Sequence, residues 1–326
     1  MTTSKTLSAK LWCAAIAAAL IAVQVGAARA QTIIRTAMLP QAPPPMSPMG
    51  IWSGNSFITL DSYSSGMPIL HLHDQSGAEV REVDLQIPGV QYFTVLYDRF
   101  VRSADGYLAV SGRAYGGNDN STLFLAVIPP DGAKQLVVRT DPYVPYALVF
   151  AADGTIWAAG REKGPPERDQ EPRANYFLIR RFDRNGKLLG GSLPRITFPG
   201  PEVPVEGSFL VASKDRVGWF APRAHRYIEF SLDGKQLATY PLNLSMAGVS
   251  GLALCDDNTL WASVNVSQDT SKQGGAPRTI LMSLDRSRGI LSGGKAQPYA
   301  FLYGCTGTTL VTSGRNFQEL RWLATR

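Results

Sequence analysis

Phe150-Ala-Ala-Asp-Gly-Thr-Ile-Trp-Ala-Ala-Gly-Arg161 decides the fold, because four more segments of the chain align with it without gaps. They are Arg102-Ser-Ala-Asp-Gly-Tyr-Leu-Ala-Val-Ser-Gly-Arg113, Ala212-Ser-Lys-Asp-Arg-Val-Gly-Trp-Phe-Ala-Pro-Arg223, Leu254-Cys-Asp-Asp-Asn-Thr-Leu-Trp-Ala-Ser-Val-Asn265 and Gly304-Cys-Thr-Gly-Thr-Thr-Leu-Val-Thr-Ser-Gly-Arg315. A weaker sixth copy runs from Ile51 to Ser62 about a Gly54-Asn55 turn. The turn positions 54, 105, 153, 215, 257 and 307 are separated by 51, 48, 62, 42 and 50 residues. Repeats of this length belong to propeller blades or helical arrays. Asp-Gly turns, β-branched and aromatic runs and period-two alternation select strands.

Most copies hold a second turn: Ser76-Gly77, Asp131-Gly132, Asn185-Gly186, Asp233-Gly234 and Ser287-Arg288-Gly289. Two strand-like runs lie between the turns, with one before and one after. Four antiparallel strands per copy is the unit of a β-propeller blade. The last copy lacks a fourth strand after the run Gln318–Ala324, and the apolar run Thr32–Leu39 is the candidate to supply it. The expected fold is all-β, a six-bladed β-propeller whose ring is closed by an N-terminal strand completing the last blade and covering its edge.

The composition agrees. Of 326 residues, 44% are hydrophobic and 18% charged, with 31 Gly and 22 Pro, which excludes a disordered chain and points to many turns. Three Cys exclude a disulfide-dense scaffold. Residues 1–30 read as a signal peptide: Lys5 and Lys10 precede the apolar run Leu11–Ala28, and Ala28-Arg29-Ala30 fits cleavage after Ala30. No later stretch is apolar for long enough to span a bilayer, so the mature chain is expected to be periplasmic or secreted. The leader carries Lys5, Lys10 and Arg29 and no acid, so its loss lowers the formal charge from +6 to +3 over the remaining 296 residues. A nucleic-acid partner is therefore not expected. Residues 31–49 form the closing strand and a Pro-rich connector, Gln41–Met49, and 50–326 form the propeller.

The element Asp153-Gly154-Thr155-Ile156-Trp157-Ala158, followed by a strand and the Asn185–Lys187 turn, resembles the repeat core of NHL and related TolB-like six-bladed propellers. The resemblance extends over nearly all of residues 50–326. It implies the same superfold but no single activity, since such propellers serve as binding scaffolds, lactone hydrolases or lyases.

With strands A to D counted outward from the axis, the A–B and C–D turns share one end of every blade. Nearly all of these are expected to be two-residue turns. The B–C and D–A connections share the other end, and the long segments collect there: 113–121, 161–175, 190–207 and 265–278. Long loops on one end of a rigid scaffold mark a binding face. Arg113, Arg161, Arg223, Asn265 and Arg315 are equivalent positions in the repeat and are expected to form an incomplete polar ring there. Arginine forks pair with carboxylates and phosphates, so the ring is a candidate site for a small anionic ligand. The competing reading is that each Arg bonds the adjacent blade. His225, two residues past Arg223, is the one His on this face.

Trp157, Trp219 and Trp261 occupy one repeat position and are expected to pack between blades. Cys255 and Cys305 stand one repeat apart on neighbouring inner strands. Export permits a disulfide, but adjacent inner strands can hold their Cα atoms beyond the roughly 7 Å limit, so sequence leaves the bridge open. His71, His73 and Asp74 look like part of a metal site lacking a third ligand, and an exposed polar strand face is the preferred reading. No resident metal or cofactor is expected. The main functional expectation is a binding module for a protein or small anionic ligand on the long-loop face. The alternative is a metal-dependent, lactonase- or lyase-like enzyme at the channel mouth, in which Ca²⁺ would recruit Glu202, Glu206 and Asn265. Gly-x-Ser-x-Gly, the P-loop, His-Glu-x-x-His and Cys-x-x-Cys are all absent from the sequence, and no motif decides whether the chain is an enzyme.

Overall fold

The computed structural model describes residues 31–40, 50–61, 68–87, 92–115, 121–163, 176–198, 205–242, 248–266, 278–294, 297–298, 300–314 and 317–325. Residues 1–30, on which the signal-peptide expectation falls, residues 41–49, Arg315 and Glu202 lie outside the described residues, as do the central parts of most long loops.

Six sheets form the six-bladed β-propeller. Blade 1 contains Gly50–Ser53, Ser56–Asp61, Ile69–His73 and Glu79–Asp84. Blade 2 contains Tyr92–Arg102, Leu108–Tyr115, Ser121–Ile128 and Leu136–Arg139. Blade 3 is built from Tyr143–Phe150, Ile156–Glu162, Phe177–Phe182 and Leu188–Pro194, and blade 4 from Phe209–Ala212, Arg216–Ala221, Arg226–Ser231 and Gln236–Pro241. Blade 5 has Val249–Leu254, Leu260–Val266, Arg278–Asp285 and Ile290–Gly293, with Gln297–Pro298 added beside its third strand. The inner strands pack in chain order around the ring, and the last meets the first.

Blade 6 shows how the ring closes. Its inner strands Leu302–Thr306, Thr309–Ser313 and Glu319–Thr325 come from the end of the chain, and Gln31–Met38 pairs antiparallel with Glu319–Thr325 as the outermost strand. Ala37 and Leu39 are buried with Trp52, Trp322 and Leu320, so the closing segment anchors apolar side chains as well as backbone hydrogen bonds.

The core lies between blades. Trp157, Trp219 and Trp261 are buried as the repeat predicts, and small buried neighbours such as Ala159, Ala221 and Ser263 let adjacent sheets approach. Trp157 meets Phe230 of the next blade with ring centroids 6.0 Å apart.

The short turns differ from expectation. Gly54-Asn55, Lys214-Asp215 and Gly307-Thr308 are two-residue turns, but six hairpins close with three residues. At the blade 3 turn, Ala151 N–H donates to Thr155 O at 2.9 Å and Gly154 N–H to Ala151 O at 2.9 Å, with Gly154 at φ +81°. The third loop residue must be left-handed, which is why Gly, or Asn258 in blade 5, recurs there.

These turns are stitched from blade to blade. Ser53 Oγ donates to Arg102 O at 2.7 Å, Arg184 pairs with Asp105 at 2.7 Å, Ser213 Oγ donates to Asn258 Oδ1 at 2.6 Å, and Thr306 Oγ1 donates to Asn55 Oδ1 at 3.1 Å. Cys255 and Cys305 form a disulfide between blades 5 and 6, with Cα atoms 5.4 Å apart. Between blades 3 and 4 Arg181 Nη1 donates to Leu232 O at 3.0 Å, so every neighbouring pair of blades is joined near the short-turn end.

Candidate functional site

An axial cavity of 980 Å³ runs between the inner strands. Strand backbone from all six blades lines it, and Asn265 is the one described ring position that does so. Arg113 stays in the second strand of blade 2, opposite Thr94 and Leu123. Asn265 is exposed near the end of its strand, with its N–H donating to Gly248 O at 2.6 Å. Of the described ring positions, Arg113, Arg161 and Arg223 do not line the cavity; they stand on or at the end of second strands, one strand out from the axis.

Two ring members do meet. Arg161 projects from the end of its strand, and Arg223 sits in a single 3-10 turn, Pro222–Ala224, that replaces the end of the equivalent strand in blade 4. Pro222 ends that strand because it has no amide hydrogen for the ladder. Glu206, from the connection between blades 3 and 4, lies between them. Arg161 Nη2 is 3.1 Å from Glu206 Oε1, and Arg223 Nη2 is 3.5 Å from Glu206 Oε2.

Tyr146 completes the group. Its hydroxyl accepts from Arg161 Nε at 3.1 Å and donates to Glu206 Oε1 at 3.4 Å. The buried Arg99 guanidinium sits 4.8 Å from the Tyr146 ring centroid, and that of Arg161 5.7 Å. Tyr146 owes this position to a bulge: Pro145 pairs with Gly160 and Ala147 with Ala159, leaving Tyr146 unmatched between them. A bulge re-aims a side chain that strict alternation would commit to a blade face. Two guanidinium groups thus meet one carboxylate, and the phenol bonded to one of them carries a third, that of Arg99, against its ring. All three charged side chains in contact, Arg161, Glu206 and Arg223, are a little more than a third exposed, so the group is reachable from solvent.

Sequence reasoning did not single out Tyr146 or Arg99, and it considered Glu206 only as a metal ligand. Val144-Pro145-Tyr146 inside a strand was the available signal, since proline within a sheet marks an edge or a bulge. His225 is exposed with a left-handed backbone, φ +49°, and its N–H and C=O bond to Pro222 and Leu242. No described contact joins its ring to the arginine group.

The exposed-face reading of His71 and His73 is corrected by the structure. His73 is 5% exposed, against Phe57, and burial holds its imidazole below the ordinary histidine pKa. His71 is half-buried and lies 3.3 Å from Glu79. The two histidines share the face of their strand opposite to the buried Leu70 and Leu72.

No family model and no curated protein matches the sequence. Solved structures do match the fold. A Bacteroides fragilis protein named for its suggested export superposes with a TM-score of 0.53 at 10% identity, over 91% of this chain and 95% of its own. A member of the DUF4221 family from Bacteroides vulgatus gives 0.50 at 9% identity, over 92% and 98%. At these identities the likeness speaks for the propeller fold alone. No described helix is long and apolar enough to cross a membrane.

Proposed function

We propose that the protein is exported, loses its leader after Ala30, and acts as a binding module whose long-loop face takes a ligand bearing a carboxylate or phosphate. The repeat core Asp153–Ala158 resembles that of NHL/TolB-like propellers, whose superfold carries binding scaffolds as well as enzymes. The observation that carries the reading is Glu206 seated between Arg161 and Arg223. A resident carboxylate held by two arginines from adjacent blades marks the geometry that a ligand anion would adopt on displacing it. Tyr146 adds a hydroxyl that can donate to the incoming oxygen, and Arg99 adds positive charge behind it. In the calcium-dependent hydrolytic alternative Glu206 is one carboxylate that could be recruited to the metal, and here it is engaged by two guanidinium groups.

Calorimetric titration of the mature protein with citrate and with inorganic phosphate tests this reading. Saturable binding that strengthens in Glu206→Gln and disappears in the Arg161→Ala/Arg223→Ala double variant is the expected result. Binding unchanged in the double variant, or no binding of either anion to wild type and Glu206→Gln, overturns it.

A further inference from the structure

On the outer half of blade 1, away from the arginine group, His71, Glu79 and Glu82 each offer one donor atom, and the three atoms lie within 4.8 Å of one another. Residues three apart in a regular strand point to opposite faces, so Glu79 and Glu82 should not meet on one side. They do because of a bulge. Leu72 pairs with Arg81 but His73 pairs with Glu79, leaving Val80 as an extra residue, 58% exposed. The bulge returns Glu79 to the face shared by Glu82 and its cross-strand partner His71.

Asp74, the neighbour that sequence offered as a ligand, is used elsewhere. Its Oδ1 accepts Ser76 N–H at 2.7 Å and Ala78 N–H at 3.2 Å, closing the turn. The carboxylates across the hairpin take its place.

His73 forms the inner wall. It shares the His71 face and is 5% exposed, and its Nε2 reaches to 3.4 Å from Thr59 Oγ1. Thr59 stands directly opposite His71, so the His73 ring leans along the strand toward the group. Its buried Nδ1 makes no hydrogen bond among the described residues. A buried, incompletely satisfied imidazole thus adjoins one imidazole and two carboxylates.

We propose that His71, Glu79 and Glu82 bind a divalent transition-metal ion of the zinc class, with water completing the coordination. Metal–nitrogen and metal–oxygen bonds of about 2.0–2.2 Å require tetrahedral donors to stand about 3.3–3.5 Å apart. His71 Nδ1 and Glu79 Oε1 are already 3.3 Å apart. Glu82 is exposed and closes the remaining distance by a side-chain rotation. One nitrogen and two carboxylate donors suit zinc better than calcium, which takes six to eight oxygens. The ion would tie the third strand of blade 1 to its outermost strand, an edge otherwise held on one side only.

Tag-free mature protein, dialysed against EDTA, is titrated with ZnCl₂ by calorimetry, and its melting temperature is followed with and without the metal. One zinc per chain with a raised melting temperature is expected. Glu79→Gln and Glu82→Gln should each weaken binding at least tenfold, and His71→Ala should abolish it, while Asp131→Asn on the next blade leaves it unchanged. Circular dichroism of metal-free His71→Ala should match wild type, so a loss of binding is not a loss of fold. No saturable zinc binding, full stoichiometry retained in His71→Ala, or binding of CaCl₂ in preference to zinc overturns the proposal.

Discussion

Arg161 of blade 3 and Arg223 of blade 4 share the two carboxylate oxygens of Glu206, at 3.1 and 3.5 Å. The two arginines are 62 residues apart, and their meeting depends on the displaced strand end at Pro222 and on the inter-blade connection that carries Glu206. More than a third of each side chain is exposed, so solvent screens the pairs heavily. Arg161→Ala or Arg223→Ala should each cost no more than about 1 kcal/mol in urea denaturation. A much larger loss would assign the group to structure instead of binding.

Glu229 presents the opposite case. It is 1% exposed, accepts from Arg216 Nη1 at 3.0 Å, and is also paired with Arg286 of the next blade. Tyr227, fully buried beside it, has its hydroxyl pKa pushed up by burial and then by the Glu229 charge. Glu229→Gln should destabilise the protein by about 3 kcal/mol, because Arg286 loses its carboxylate partner in a partly dry interface and Arg216 keeps only the half-exposed Asp215. Equilibrium unfolding of the variant checks this, and a cost under about 1 kcal/mol would contradict it.

The Cys255–Cys305 bridge closes a loop of 50 residues between the last two inner strands. Its loss in the Cys255→Ser/Cys305→Ser variant should cost about 2–4 kcal/mol, chiefly through a freer unfolded chain. Wild type in reductant should unfold at the same lowered denaturant midpoint as the double variant.

Ring closure is testable at Leu39. Its side chain is buried beside Trp52 and Trp322, and its N–H donates to Gln318 O at 2.8 Å. Leu39→Ala should cost about 2–3 kcal/mol. Deletion of residues 31–39 should expose the edge of Glu319–Thr325 and give a protein that scatters light on mild heating.

The turns set an acid limit. Hydrogen bonds from Ser231 and Ser287 hold the Asp233 and Asp285 carboxyls below their ordinary value of 3.8. In Asp215 a hydrogen bond from Arg216 does the same. A carboxyl depressed in the folded state contributes stability that is complete above 3.8 and is lost as the pH falls through its lower, folded value. Urea midpoints should therefore hold down to about pH 5 and drop toward pH 3. The drop should be smaller in Asp233→Asn/Asp285→Asn.

The sequence alone determined the number of blades, their boundaries, the buried tryptophans and the strand that closes the ring. These follow from local chemistry repeated at a fixed interval: a left-handed Gly after Asp makes a turn wherever it occurs, and alternation says which side chains need burial. Tertiary structure alone decided which polar groups meet. Arg113, Arg161, Arg223 and Asn265 are equivalent in the repeat, yet among the described contacts only Arg161 and Arg223 share a partner, because the inter-blade connection that carries Glu206 runs between their blades. Tyr146 and Glu79 reach their partners because one extra residue in a strand reverses the face, and a bulge is set by pairing with the neighbouring strand. The disulfide was open for the same reason, since the distance between Cys255 and Cys305 is a property of two packed blades and not of either one.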